Sequence, residues 1–99
     1  MNFQSIMKQA QAMQQNMLKE KKKIESTIFE GTSELVDVKM NGKREVIEVK
    51  IKNEEKFENE DIEILQDMIL IAVNDATKKI NEEINKKMGN QVGALSSFL

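Results

Sequence analysis

Asn41-Gly42 sits between two stretches that alternate apolar and charged residues, "ELVDVKM" at 34–40 and "REVIEVKI" at 44–51. A period of two is what a strand with one buried face requires, and Asn-Gly is a strong hairpin signal because both residues tolerate positive φ. An antiparallel pair is therefore expected, with Val36, Val38 and Met40 on one face of the first strand and Ile47, Val49 and Ile51 on one face of the second. A two-residue turn would oppose Val38 to Glu45. A four-residue loop over 41–44 opposes Val38 to Ile47 and Val36 to Val49, and this register is expected because apolar cross-strand pairs stabilise a sheet. "STIFEGT" at 26–32, β-branched and aromatic up to the first glycine, adds a strand before the pair.

On either side of the strands the period changes to that of a helix. Phe3, Ile6, Ala10, Met13, Met17 and Ile24 keep a three/four spacing broken only by Glu20, and no Gly or Pro occurs before residue 31. After the acidic connector "NEEKFENED", which offers Asn59 and Asp61 as caps, the apolar positions run from Ile62 through Leu65, Ile69, Ala72, Val73, Ala76, Ile80 and Ile84 to Met88, just before Gly89. One α+β domain over 1–99 is predicted: a long N-terminal helix at 1–25, a three-stranded antiparallel β-meander over 26–52, a connector at 53–60, a long C-terminal helix at 61–88 and a loosely ordered tail at 89–99.

Composition removes most chemistry. The chain has no Cys and no His, which excludes disulfides, Cys/His zinc sites and imidazole catalysis. No apolar run is long enough for a membrane span and no leader pattern is present, so a cytoplasmic location is expected. Asn74-Asp75 lacks a general-acid partner, and the acids from Glu54 to Glu63 lack EF-hand spacing. No enzyme, no metal and no cofactor is expected; Asn74 is read as a polar residue in a packed seam.

The formal net charge is −2, but it is segregated. Residues 1–23 carry Lys8, Lys19, Lys21, Lys22 and Lys23 against Glu20, residues 76–99 carry Lys78, Lys79, Lys86 and Lys87 against Glu82 and Glu83, and the stretch between them is strongly acidic. Basic ends and an acidic middle suit contact with a polyanion through the helices. "KEKKK" at 19–23 lies off the apolar seam, and the pairs at 78–79 and 86–87 recur on a common helix face. The competing reading of both clusters is a solvated helix end that complements the helix dipole. Gln4, Gln9, Gln11, Gln14 and Gln15 keep the outer face of the first helix neutral, while its Met/Ala stripe is expected to pack against the second helix or a partner's helix. With four Phe and no Tyr or Trp, base stacking on single strands is disfavoured.

Three blocks in this order resemble the YbaB/EbfC family of small bacterial nucleoid-associated proteins: "MKQAQAMQQNM" at 7–17, "VDVKMNGKREVIEVKI" at 36–51 and "LQDMILIAVNDATKKI" at 65–80, followed by "KKMG". Where the family has a Gly-rich run before the hairpin, this chain has "EGTSEL" with the single Gly31. The resemblance implies a tweezer-like homodimer that binds double-stranded DNA in the nucleoid without catalysis and takes no small-molecule substrate. Lys8, Lys19, Lys21, Lys22, Lys23, Lys78, Lys79, Lys86 and Lys87 are the candidate DNA contacts. Val36, Val38, Ile47, Val49, Leu65, Ile69 and Asn74 are the candidate core and dimer-interface residues. A rival expectation is a prefoldin-like chaperone or coiled-coil adaptor, against which the break at Glu20 and the short arms count.

Overall fold

The computed structural model describes residues 2–52 and 58–88, and the chain folds in the order α1 (Phe3–Ser26), β1 (Ile28–Thr32), β2 (Val36–Asn41), β3 (Val46–Ile51), a 3-10 turn (Asn59–Asp61) and α2 (Ile62–Met88). Most of the acidic connector and the whole C-terminal tail lie outside the described residues.

Helix α1 starts where Asn2 Oδ1 accepts the Gln4 N–H at 3.1 Å. It stops where the Ser26 and Thr27 hydroxyls donate to the Lys23 carbonyl at 3.1 and 2.7 Å and Thr27 turns to an extended conformation. Those bonds satisfy a carbonyl that helix termination leaves open, and they steer the chain into β1. At the other helix Asp61 supplies the cap, from inside the turn: its carboxylate accepts the Glu58 N–H at 2.9 Å.

The sheet is an antiparallel meander in the order β1-β2-β3. Its hairpin register differs from the expected one. Val38 opposes Val49 and Val36 opposes Ile51, not Ile47 and Val49. Two local events produce the shift. Asn41 N–H donates to the Glu45 carbonyl, and Asn41 Oδ1 accepts the N–H groups of Lys43 and Glu45, so the loop is the three residues 42–44, with Arg44 at φ 69°. A bulge then leaves Ile47 unpaired between Met40↔Val46 and Lys39↔Glu48. The asparagine side chain, by closing the loop itself, outweighs the apolar pairing on which the expectation rested.

Helix α2 crosses one face of β1 and β2. Val36, Val38 and Ala72 form one buried cluster with Leu65, Met68 and Ile69 around it. Ile24, Met40, Ala76, Ile80 and Ile84 form the second, with Met17 and Phe29. Gly31 permits this approach: a Cβ there would land on the Ala72 carbonyl oxygen and within 2.8 Å of the Ala76 side chain. Gly42 plays the same part at the hairpin tip, where a Cβ would strike the Ile24 carbonyl at the end of α1. These two contacts make the sheet and both helices one body, 70 Å long and 19 by 16 Å across.

The core covers neither the edge strand β3 nor the outer part of α1. Val46, Ile47 and Val49 are each about half exposed, and Asn74 points to solvent on α2. On α1 only Met17 and Ile24 of the expected stripe join the core, while Phe3, Ile6 and Met13 stay exposed within the chain. Of the two expected partners for the Met/Ala stripe, the second helix therefore takes only its Met17 and Ile24 end, and α1 runs past α2 with the rest of the stripe uncovered within the chain.

Candidate nucleic-acid interface

The projection of α1 decides where the lysines go. Ile24 packs among Ala76, Ile80 and Ile84, and farther back along α1 the residues Met13, Asn16, Met17 and Glu20 share a cleft of about 390 Å³ with Lys87. The helices therefore lie antiparallel, with the middle of α1 beside the end of α2. Clusters that are more than fifty residues apart in sequence, 19–23 and 78–87, thus sit on adjoining helices. Helix α1 contributes exposed Lys19, Lys22 and Lys23 and half-buried Lys21; exposed Lys8 lies farther out on the projecting part.

The α2 lysines are not equivalent. Lys79 Nζ donates to the Glu30 carbonyl at 2.7 Å and lies 3.4 Å from the Asp75 carboxylate. Asp75 in turn accepts the Thr32 N–H at 2.9 Å. The hydrogen bond from the Thr32 N–H, with Lys79 beside it, holds the Asp75 carboxyl below its ordinary range despite partial burial. This pair closes the outer edge of β1, so Lys79 is anchored to the sheet. Lys87 lies 4.0 Å from Glu83, one turn back, while Lys78 and Lys86 are exposed.

Glu20, the break in the apolar stripe, has one carboxylate oxygen shielded from solvent without a hydrogen-bond partner among the described residues, and it lines the cleft with Lys87. Two cations outside the set expected from the sequence join this region: Lys43, which the hairpin brings into a shallow cleft with Lys22, and Arg44, whose Nη2 donates to Asn81 Oδ1 at 2.6 Å. The signal was present, since two cations directly follow Asn41-Gly42.

Away from these lysines, the sheet face opposite α2 carries charges that are largely paired among themselves. Lys39 meets Glu48 at 3.6 Å and Lys52 meets Asp37 at 3.2 Å. Asp37 also accepts the Thr32 hydroxyl at 2.7 Å, and that bond, ahead of Lys52, lowers its pKa. Among the described residues no group of three or more acidic, His or Cys side chains is placed to hold a metal ion. No described helix is long and apolar enough to cross a membrane.

Comparison with known proteins follows the same outline. The sequence profile of the YbaB/EbfC DNA-binding family matches residues 1–95. A nucleoid-associated protein of Ligilactobacillus salivarius is 42% identical over 91 residues, covering 90% of this chain and 86% of that protein. One from Pelotomaculum thermopropionicum is 42% identical over 95 residues, covering 95% and 90%. The crystal structure of the uncharacterised Helicobacter pylori protein HP0035 superposes with a TM-score of 0.73 over 93% of this chain and 98% of that one; at 24% identity it speaks for the fold. With the family profile spanning nearly the whole sequence, the chain belongs to the YbaB/EbfC DNA-binding family.

Proposed function

We propose that this protein is a cytoplasmic, nucleoid-associated homodimer that binds double-stranded DNA with low sequence preference, neutralising phosphates with lysines on α1 and α2. The observation that carries this reading is the convergence of the 19–23 and 78–87 clusters on adjoining helices, while the sheet's charges pair with one another. Family membership and the names of the relatives support it.

Phosphate contact by flexible ammonium groups supplies affinity without base discrimination, and the scarcity of aromatic residues argues for duplex over unpaired strands. If about six lysines of a dimer meet phosphate, log affinity falls against log salt with a slope of roughly −5. A salt titration on duplex DNA, wild type against the variant with Lys19, Lys21, Lys22 and Lys23 all changed to Glu, tests this. A folded variant that binds as tightly as wild type refutes the role of α1.

The exposed seam of Phe3, Ile6, Met7 and Met13 favours a second reading, an apolar docking arm of a chaperone or coiled-coil adaptor. That reading predicts suppression of client aggregation and a flat salt response.

A further inference from the structure

The tip of the β2-β3 hairpin is tied to both helices. Gly42 lies so close to the end of α1 that a Cβ would strike the Ile24 carbonyl, and on the other side Arg44 Nη2 donates to Asn81 Oδ1 of α2 at 2.6 Å. Between these anchors Asn41 Oδ1 accepts the Lys43 N–H at 2.9 Å. Arg44 keeps φ at 69°, a left-handed conformation that a non-glycine residue holds only where its surroundings enforce it. Lys43 therefore has a fixed backbone and an exposed side chain. The same anchoring sets it beside α1, where Lys22 and Glu25 line a shallow cleft with Asn41, Lys43 and Glu45 of the hairpin. Two carboxylates share this cleft without neutralising its lysines. Glu45 Oε1 accepts a hydrogen bond from Asn41 Nδ2 at 2.8 Å, and among the described residues neither Lys22 nor Lys43 forms an ion pair. The sheet's own Lys39 and Lys52 are paired, as is Lys79.

We propose that the hairpin tip is a further contact to the DNA backbone, in which Lys43 meets a phosphate beside the one taken by Lys22, and that Arg44 is the residue that positions it. The inference rests on the DNA-binding reading above and adds the sheet to the two helices as a contacting element. Uncompensated ammonium groups from two elements, facing one open cleft, suit an anion that arrives from outside and presents charge at more than one point. A DNA strand does so with its successive phosphates, and contacts to phosphate fix a protein's placement on the duplex. Because the loop is already held by Gly42, Asn41 and Arg44, binding orders only the lysine side chain, which lowers its cost. The Arg44 guanidinium is engaged with Asn81, so its part is to hold the tip against α2.

The test is a salt titration of the full chain on a labelled duplex, read by fluorescence anisotropy. Lys43→Ala is expected to leave Tm unchanged and to make the slope of log affinity against log salt shallower by about 0.9 for each copy that meets a phosphate. Lys39→Ala removes the same charge from the paired face of the sheet and is expected to leave the slope as in wild type. Asn81→Ala cuts the tether of Arg44 without changing any charge. It is expected to weaken binding by roughly twofold to tenfold in the wild-type background and to have no effect in Lys43→Ala, a dependence that general destabilisation would not produce; equal losses in both backgrounds overturn the positioning role of Arg44. Contact is read directly with a duplex carrying an activated disulfide tether on its backbone, since the chain has no native cysteine: Lys43→Cys is expected to cross-link and Lys39→Cys is not. A folded Lys43→Ala with the wild-type slope, together with a Lys43→Cys that does not cross-link, overturns the contact at the tip; if the fourfold Glu variant of Lys19, Lys21, Lys22 and Lys23 still loses binding, the DNA-binding reading stands without it. A wild type with no salt-dependent binding to the duplex overturns both.

Discussion

The Asp75 carboxylate on α2 accepts a hydrogen bond from the Thr32 backbone N–H on β1 at 2.9 Å, bridging 43 residues of sequence. A charged acceptor on an edge-strand N–H contributes more than a neutral one, and this acceptor is only partly exposed. Asp75→Ala is expected to cost about 1–2 kcal/mol, reading as a drop of roughly 4–15 °C in Tm for a domain of this size. Asp75→Asn should recover little, since an amide oxygen is a weaker acceptor and loses the attraction of Lys79. Thermal melts of both variants check this.

Acid should unfold the protein partly through the same contact. Asp75 and Asp37 titrate lower in the folded chain than in the unfolded one, the former through the Thr32 N–H and the latter through the Thr32 hydroxyl. A lowered folded pKa contributes stability that is fully present above the ordinary carboxylate value near 3.9 and lost as pH falls through the folded value. Urea midpoints are expected to be nearly flat between about pH 5 and 8, the chain having no histidine, and to fall below about pH 4. The Asp75→Asn and Asp37→Asn double variant should show a shallower acid decline.

Gly31→Ala is expected to be among the most damaging single substitutions. Its methyl group would meet the Ala72 carbonyl and Ala76, both on a helix held by two buried clusters. Overpacking against backbone should cost about 3 kcal/mol or more. Urea denaturation measures it, and an Ala variant as stable as wild type would mean that α2 does not sit this close to β1.

Burial separates the two apolar series on the helices. Ile80 is fully buried, so Ile80→Ala should destabilise by about 2–5 kcal/mol. Phe3 is 73% exposed, so Phe3→Ala should leave chain stability within about 0.5 kcal/mol. A large loss at Phe3 would instead show that a partner helix covers the projecting arm.

Lys78 and Lys79 are neighbours with different expected phenotypes. Lys79 is engaged with Glu30 and Asp75, so Lys79→Ala should lower stability and change the salt slope of DNA binding little. Exposed Lys78→Ala should leave stability unchanged and reduce the slope by about 0.9 for each of the dimer's two copies of Lys78 that meets a phosphate. Fluorescence anisotropy on duplex DNA at several salt concentrations separates them.

Which residues form helices and which form strands was legible in the sequence because each segment's apolar period matches one backbone geometry, as the seams of Ile80 and Ile84 or of Val36 and Val38 show. The charge segregation was equally legible, being a matter of counting. The hairpin register was not. It turned on whether Asn41 Oδ1 would close the loop, and on a bulge at Ile47, both decided by backbone hydrogen bonds that no hydrophobic pattern encodes. Nor did periodicity reveal that Lys79 serves the β1 edge while Lys78 faces water, since adjacent helix positions differ by only a hundred degrees and the distinction depends on where β1 lies. Local order follows from neighbours along the chain. The pairing of edges, the freedom of individual lysines and the uncovered flank of β3 follow from contacts between residues far apart in sequence, and only the packed structure specifies those.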